Sequence, residues 1–222
     1  MRIATTCTGP NVFAFCLALL AFFKLNAQAP EPPLPVEMLF GNDQFYFQVV
    51  IKKKFSPDSK FGFFSVATYS ASYNQKIPQN SITIPAQFSY SLGKGFGIMA
   101  GMEINSVAGF SPIVGPQHNY TSKKVLAVTV ASLFLNEDLD FKLFGLYEYK
   151  PPLNEKWTWY NRLQFIYNHN LKEGIHNRSY LYLRSGLKRK SLAFGLGANL
   201  DQIGPNKIFA DNYGLFARWD FN

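Results

Sequence analysis

The amino-acid sequence predicts an all-β fold: an antiparallel, up-and-down transmembrane β-barrel of about twelve strands, with ten as the alternative. Three observations predict it. Short runs along most of the chain alternate apolar and polar residues with a period of two, as strands with one apolar face do. Polar turns rich in Gly, Pro, Asn and Asp separate these runs. After residue 29, no convincing 3.6-residue periodicity and no apolar stretch of about eighteen residues indicates a helix across a membrane.

The composition agrees with a barrel in lipid. The 222 residues suit one domain, and aromatic residues make up 17% of them while charged residues make up only 16%. Mean hydropathy is nevertheless close to zero, at −0.06. A lipid-embedded barrel has this signature because half of its strand residues face lipid and half face a polar interior.

The basic balance favours a membrane edge over nucleic acid. The net charge is +8, and the two basic triplets, residues 52–54 and 188–190, lie at predicted strand ends beside turns. Lysine and arginine at such places are typical of solvated turns. The sequence therefore predicts no nucleic-acid partner.

Residues 1–29 have the pattern of a cleaved secretory signal peptide. Arg2 gives a charged start, residues 12–23 form an apolar run too short to span a bilayer, and Ala27-Gln28-Ala29 offers a cleavage site. Cleavage after Ala27 and a buried N-terminal helix are the alternatives. Both cysteines lie in this segment, so the mature chain is expected to have no disulfide, thiol nucleophile or cysteine metal site.

The first strands follow a Pro-rich lead-in over residues 30–35, which proline keeps extended. Residues 36–40 are predicted to form a brief first strand. The next four strands each present an apolar row to one side, and a polar loop over residues 74–80 separates the second of these from the third. The rows run from Phe45 to Ile51, Phe61 to Tyr73, Ile82 to Leu92 and Phe96 to Ile104.

The middle of the chain allows two interpretations. Residues 107–122 form either one long loop or a strand from Ile113 to Tyr120, and Pro116 weakens the strand because proline cannot donate to a ladder. Residues 125–135 are apolar on both faces. The later strands lie around residues 141–149, 157–167, 181–188, 192–200 and 213–221, with polar loops predicted over 168–177 and 201–207.

Connection lengths favour a membrane barrel over a soluble sandwich. If the middle segment is a strand, short turns alternate with connections that are mostly longer, as periplasmic turns alternate with external loops in outer-membrane barrels. Both termini then lie at the periplasmic end. Aromatic side chains near strand ends would form an interface belt, with these candidates: Trp157, Trp159, Trp219 and Phe221.

The last strand carries a resemblance. Residues 212–222 alternate strictly and end in Trp219-x-Phe221, with Gly214 five residues before the first aromatic instead of three. This segment resembles the closing strand of bacterial outer-membrane β-barrels, and the mature chain resembles the small uncharacterised barrels of the Bacteroidetes type. The resemblance implies location in a Gram-negative outer membrane, contact with its lipid, and insertion by the barrel-assembly machinery through the C-terminal strand. It implies no catalytic motif.

Charged residues predicted to face inward are the candidate functional residues: Glu103, Glu148, Arg162, Arg184, Arg218 and Asp220. They would line a narrow passive channel, porin-like in kind, that selects small anionic solutes. The alternative is a salt-bridged interior that only fills the lumen. Twelve strands would leave less room than the sixteen or more of open porins.

Two further functions remain open. His118, His169 and His176 lie in polar segments, and Ser179 and Glu173 are near His176 in sequence. An outer-membrane enzyme acting on lipid or peptide would need such groups in contact. The other possibility is a secreted, soluble β-sandwich that binds a ligand. The sequence predicts no catalytic site, metal site or cofactor.

Overall fold

A computed structural model describes residues 32–74 and 80–221, and these residues form twelve antiparallel strands in a closed barrel. The predicted signal peptide lies outside them. Over the same residues, no helix is long and apolar enough to cross a bilayer. The strands are β1 (Leu34–Gly41), β2 (Gln44–Lys54), β3 (Phe61–Ser72), β4 (Ser81–Gly93), β5 (Phe96–Asn105), β6 (Gly109–Thr121), β7 (Val125–Phe134), β8 (Asp140–Tyr149), β9 (Thr158–Asn170), β10 (Ile175–Arg189), β11 (Leu192–Ile203) and β12 (Ile208–Phe221).

The barrel closes between its first and last strands. Each strand pairs with its neighbours in sequence, and β1 pairs with both β2 and β12, from Leu34 opposite Phe221 to Gly41 opposite Gly214. Closure leaves no open edge, which is what a sheet in lipid requires. The predicted fold class and the count of twelve are therefore confirmed. We call the end where β1 starts and β12 stops the termini rim, and the opposite end the far rim.

Of the two interpretations of the middle segment, the strand is confirmed as β6. Pro116 is tolerated because the ladder between β6 and β7 is interrupted there: Val114 pairs with Leu133, and the next pair is Gln117 with Val130. At this position β7 therefore needs no hydrogen bond from the backbone N–H that proline lacks. On the other side, Pro116 still lies opposite a residue of β5.

The predicted contrast in connection lengths is wrong. The polar loop expected over 168–177 is only residues 171–174, because β9 continues to Asn170 and β10 already begins at Ile175. Backbone pairing continues through polar residues, with a bulge between His176 and Arg178 absorbing the extra residue. The first strand likewise begins earlier than predicted, at Leu34. Residues 168–177 were predicted to be a loop only because they are polar. Backbone hydrogen bonds between strands do not depend on side-chain polarity, so the strands continue through most of this segment.

Side chains alternate between the two surfaces of the barrel as the sequence predicts. Leu196 and Leu215, which point outward, are 69% and 64% exposed. Gln164 and Arg162, which point inward, are 0% and 2% exposed. An exposed apolar exterior around a polar, buried interior is the reverse of a soluble domain.

The interior is divided between an apolar half and a charged half. On the side of β2–β8 nine buried apolar residues pack together: Val50, Phe64, Val66, Met99, Ile113, Val128, Val130, Phe134 and Leu146. The rings of Phe64 and Phe144 lie 6.1 Å apart, although their strands are five positions apart around the barrel. Side-chain packing therefore reaches across the lumen, and most of the buried charged residues lie along β8–β12 and β1.

Candidate functional site

A buried carboxylate on β1 organises one charged cluster. One oxygen of Glu37 accepts hydrogen bonds from Arg162 Nη2 at 2.7 Å and from Arg184 Nε at 2.8 Å. Both arginine side chains are 0% exposed. Arg184 also donates to Asn199 Oδ1 at 2.8 Å. We call Glu37, Arg162, Arg184 and Asn199 the Glu37 cluster.

A second cluster surrounds Arg218, nearer the termini rim. Arg218 Nε donates to Asp220 Oδ1 at 2.8 Å, and its Nη1 contacts Glu148 and the hydroxyl of Tyr160. Two lysines complete the charges: Lys150 pairs with Glu148 at 2.9 Å, and Lys188 pairs with Asp220. We call these residues the Arg218 cluster.

Both clusters cross the lumen. Glu37 on β1 and Arg162 on β9 lie four strands apart around the barrel, as do Arg218 on β12 and Glu148 on β8. Such ion pairs join parts of the wall a third of the circumference apart, whereas pairs between neighbouring strands would leave the centre free. The charged bridges therefore make a constriction in the half of the barrel nearest the termini rim.

Several buried polar side-chain atoms at the constriction have no hydrogen-bond partner among the described residues. Seven buried polar atoms there have no partner among the described residues: Glu37 Oε2, Arg162 Nε and Nη1, Arg184 Nη2, Asn199 Nδ2, Gln48 Nε2 and Gln164 Oε1. Gln48 is the cross-strand partner of Glu37. Buried polar groups nearly always have a partner in folded proteins, and water supplies it where protein does not. These atoms therefore favour a hydrated constriction.

The half nearer the far rim holds a third, smaller polar cluster. Arg178 donates to Asp201 Oδ1 at 2.7 Å, and the Tyr182 hydroxyl donates to the other carboxylate oxygen at 2.9 Å. Tyr182 also stacks on Tyr180, with ring centroids 4.0 Å apart. A cavity of about 90 Å³ lies beside them. A cavity of this volume has room for several water molecules.

The structure places all six predicted charges inside the barrel, each at most 6% exposed. It brings five of them into the two clusters. Glu103 lies apart, on β5, and pairs with Lys142 of β8. Their part in conduction stays a prediction.

Sequence reasoning missed several interior charges: Glu37, Lys142, Lys188, Arg178 and Asp201. The alternation signal was available for Glu37, which lies between the outward residues Val36 and Met38. It went unused because the first strand is so short. Lys142 could have been found in the same way, between Phe141 and Leu143.

The predicted interface aromatics divide into two groups. Trp159, Trp219 and Phe221 point outward and are 44–51% exposed. Trp157 precedes β9 and is half-buried, because it packs against Phe194 at 6.2 Å and under the guanidinium of Arg189 at 5.6 Å. Whether they mark a lipid interface stays a prediction.

The histidines are in strands and not in loops. His176 Nε2 lies 2.8 Å from Ser179 Oγ, and its Nδ1 lies 2.9 Å from the carbonyl oxygen of Gly204. The carbonyl can only accept, so Nδ1 carries the hydrogen and Nε2 is free to accept from Ser179. Glu173 is exposed, in the turn before β10, and does not join this pair.

Comparisons with known proteins identify the fold. No protein-family model matches the chain, and no curated protein matches it in sequence. Among solved structures, the NanC porin matches with a TM-score of 0.50 and 9% identity, over 85% of this chain and 99% of that one. The KdgM porin matches with a TM-score of 0.47 and 11% identity, and LpxR from Salmonella typhimurium with 0.45 and 7%, each over the same shares of the two chains. The NanC likeness shows a porin-like barrel fold.

Proposed function

We propose that this barrel lies in the bacterial outer membrane and acts as a narrow passive channel that prefers small anions. The observation that carries this proposal is the constriction: charged side chains cross the lumen, yet seven buried polar atoms beside them have no hydrogen-bond partner within residues 32–74 and 80–221. A barrel whose interior served only as a scaffold would be expected to satisfy these groups internally, since unpaired buried polar groups are destabilising.

The apolar exterior supports the membrane location. Outward leucines, isoleucines and phenylalanines are exposed around most of the barrel, on β1, β3–β6 and β9–β12, and lipid is the solvent that such a surface needs. Exposed aromatics near strand ends fit an interfacial belt. Assembly through the barrel-assembly machinery, by way of the strand that ends in Trp219-x-Phe221, belongs to the same proposal.

The charges at the constriction support a preference for anions. Its cationic side chains outnumber its carboxylates, with Arg162, Arg184, Arg218, Lys150 and Lys188 against Glu37, Glu148 and Asp220. A positive excess in a confined, low-dielectric passage attracts anions and repels cations. Because Phe64 and Phe144 also meet across the lumen, the conductance is expected to be smaller than that of sixteen-stranded porins.

Planar-bilayer recording tests the channel. Purified protein should give small, discrete conductance steps, and the reversal potential in a potassium chloride gradient should show selectivity for chloride. Replacing Arg218 with Gln should reduce that selectivity. The exchange of exposed Lys94 for Gln removes the same charge outside the lumen and should leave it unchanged. Silence at all voltages from protein shown to be folded would refute the proposal.

One contact favours a second candidate function, hydrolysis of a lipid ester. Ser179 and His176 have the hydrogen bond that a nucleophile and its base need, and the Gly204 carbonyl orients the imidazole. In this reaction the Ser179 oxygen attacks the ester carbon while its proton passes to His176 Nε2. His176 returns that proton to the departing alcohol as the acyl-enzyme forms. Water, deprotonated by His176, then attacks the acyl-enzyme, which releases the fatty acid and restores the Ser179 hydroxyl.

Fatty-acid release from mixed lipid vesicles tests the hydrolase. The natural protein should release fatty acid, Ser179→Ala should not, and Ser91→Ala, which removes an exposed hydroxyl near the termini rim, should behave as the natural protein does. Equal release from both variants, or none from the natural protein, would exclude this function and leave the channel untouched.

A further inference from the structure

A groove of about 950 Å³ crosses the outer surface of β7–β12. One row of outward residues runs along it, each the cross-strand neighbour of the next: Val125, Tyr149, Asn161, Ser185, Leu196 and Leu215. The row spans five inter-strand spacings, or about 24 Å at roughly 4.8 Å each. The groove is therefore long, and most of its lining is apolar.

The groove rises from the termini rim into the apolar exterior. At one end Val125 is the first residue of β7 and Tyr149 is the last residue of β8. At the other end Leu215 lies six residues before the end of β12, about 20 Å along the strand at roughly 3.3 Å per residue. One end is thus at the level of lipid headgroups, while the other is deep among acyl chains.

Small residues keep the groove open. The outward side chains of Ala127 and Ala198 project little, and the backbones of Gly197 and Gly214 form part of the floor. A Cβ at Gly197 would point inward, to 2.7 Å from Leu39 Cδ1. Glycine there leaves room for Leu39 on the inner side of the wall, whereas Ala127 and Ala198 keep the outer surface low along this line.

The groove also holds a polar group in an otherwise apolar surface. Ser185 Oγ donates to Asn161 Oδ1 at 2.9 Å and accepts from Trp159 Nε1 at 3.1 Å. These contacts fix the amide so that Asn161 Nδ2 remains a donor without a partner among the described residues. Asn161 pairs with Tyr149, the last residue of β8, so this donor lies at the depth of the ester carbonyls of a lipid.

Basic residues surround the rim end of the groove. Lys123 and Lys124 immediately precede β7, and Lys156 lies in the connection from β8 to β9. All three are exposed, and none forms an ion pair with another residue in the described ranges. The backbone N–H of Lys150 donates to the carbonyl of Lys124 at 2.7 Å, which ties this turn to the end of β8. Cations in this position complement a phosphate group.

We propose that this surface binds one anionic glycerophospholipid in the leaflet at the termini rim. Lys123, Lys124 and Lys156 hold the phosphate, Asn161 Nδ2 donates to an ester carbonyl, and an acyl chain follows the groove toward Leu215. The site is on the exterior, so it adds to the channel and depends only on the membrane location that the proposed function includes.

Lipid titration of the detergent-solubilised full chain, followed by native mass spectrometry, tests the headgroup contact. Phosphatidylglycerol should bind one to one and more tightly than phosphatidylcholine with the same acyl chains. The double exchange Lys123→Gln and Lys124→Gln should weaken phosphatidylglycerol binding by about 10- to 30-fold. The matched control exchanges Lys60 and Lys94 for Gln and should change binding less than twofold. These two lysines are exposed in the β2–β3 and β4–β5 turns of the same rim, outside the strands that form the groove.

A second pair of variants tests the groove. Ala198→Phe fills it and should abolish one-to-one binding of both lipids, whereas Ala100→Phe, on the outward face of β5, should not. Heat-shifted gel mobility identifies variants that fold. Equal affinity for the two lipids, equal losses in the two lysine variants, or normal binding by folded Ala198→Phe would overturn the proposal. None of these readouts uses conductance, so a failed channel and a failed lipid site are distinguishable.

Discussion

Replacing Glu37 with Gln probes the constriction most directly. The side chain keeps its size, but the single carboxylate that joins Arg162 and Arg184 becomes neutral. Both guanidinium groups are fully buried, and Arg162 then has no carboxylate within reach among its observed contacts. Removing one partner of a buried ion pair leaves an uncompensated charge in a low-dielectric interior.

Such a loss costs about 3–5 kcal/mol in buried pairs, and Glu37 serves two arginines at once. Water at the unpaired atoms nearby reduces the cost by solvating the freed charges, so we expect a decrease of about 3 kcal/mol in the free energy of unfolding. The same exchange adds one uncompensated positive charge to the lumen. Selectivity for chloride over potassium should therefore increase.

Urea unfolding of the protein in lipid vesicles, followed by tryptophan fluorescence, measures the decrease in the free energy of unfolding. The reversal potential measures the change in selectivity for chloride over potassium. Glu155→Gln removes an exposed carboxylate between β8 and β9 and serves as the control for net charge. If Glu37→Gln and Glu155→Gln unfold at the same urea concentration, the Glu37 cluster does not stabilise the barrel, and the reasoning from burial is wrong.

Three further variants test the wall, the apolar core and the Arg218 cluster. Gly214→Ala would bring a Cβ to 1.9 Å from the carbonyl oxygen of Phe40, across the β1–β12 seam, and should destabilise the closed barrel by about 1–3 kcal/mol, seen as a lower temperature for the gel-mobility shift. Phe64→Ala removes a buried ring that meets Phe144 across the lumen and should cost about 3–5 kcal/mol in urea unfolding while increasing single-channel conductance. Arg218→Gln should lower the urea midpoint as well as chloride selectivity, because two buried carboxylates lose their shared partner; an unchanged midpoint would contradict this role.

The predicted closing strand shows how far local pattern reaches. Alternation from Tyr213 to Phe221 correctly separated outward from inward residues, and the same argument placed Arg162 and Arg184 inside. The alternation also predicted twelve strands if the middle segment, residues 107–122, contains a strand. These inferences succeeded because the two faces of each strand meet solvents of opposite polarity, and a period of two records that difference directly.

The alternation of residues along a strand did not predict where the loops begin and end, or which side chains contact each other. Residues 168–177 were assigned to a loop for their polarity, although the ladder of β9 and β10 continues through most of them. The contact between His176 and Ser179 depends on the bulge in β10, which no periodicity reports. Glu37 could be placed on a face, but its two arginine partners could not be identified.

The sequence by itself determined the strand faces and the charged character of the interior, because these follow from the order of residues along each strand. The structure decided the choice between ten and twelve strands. Only the tertiary structure decided which charges meet, since Glu37 and Arg162 are 125 residues apart and come together only through closure of the barrel. The groove on the outer surface likewise arises from the register of six strands, each contributing two or three residues to its lining. A period of two specifies the face on which a residue lies, whereas register and closure specify its neighbours.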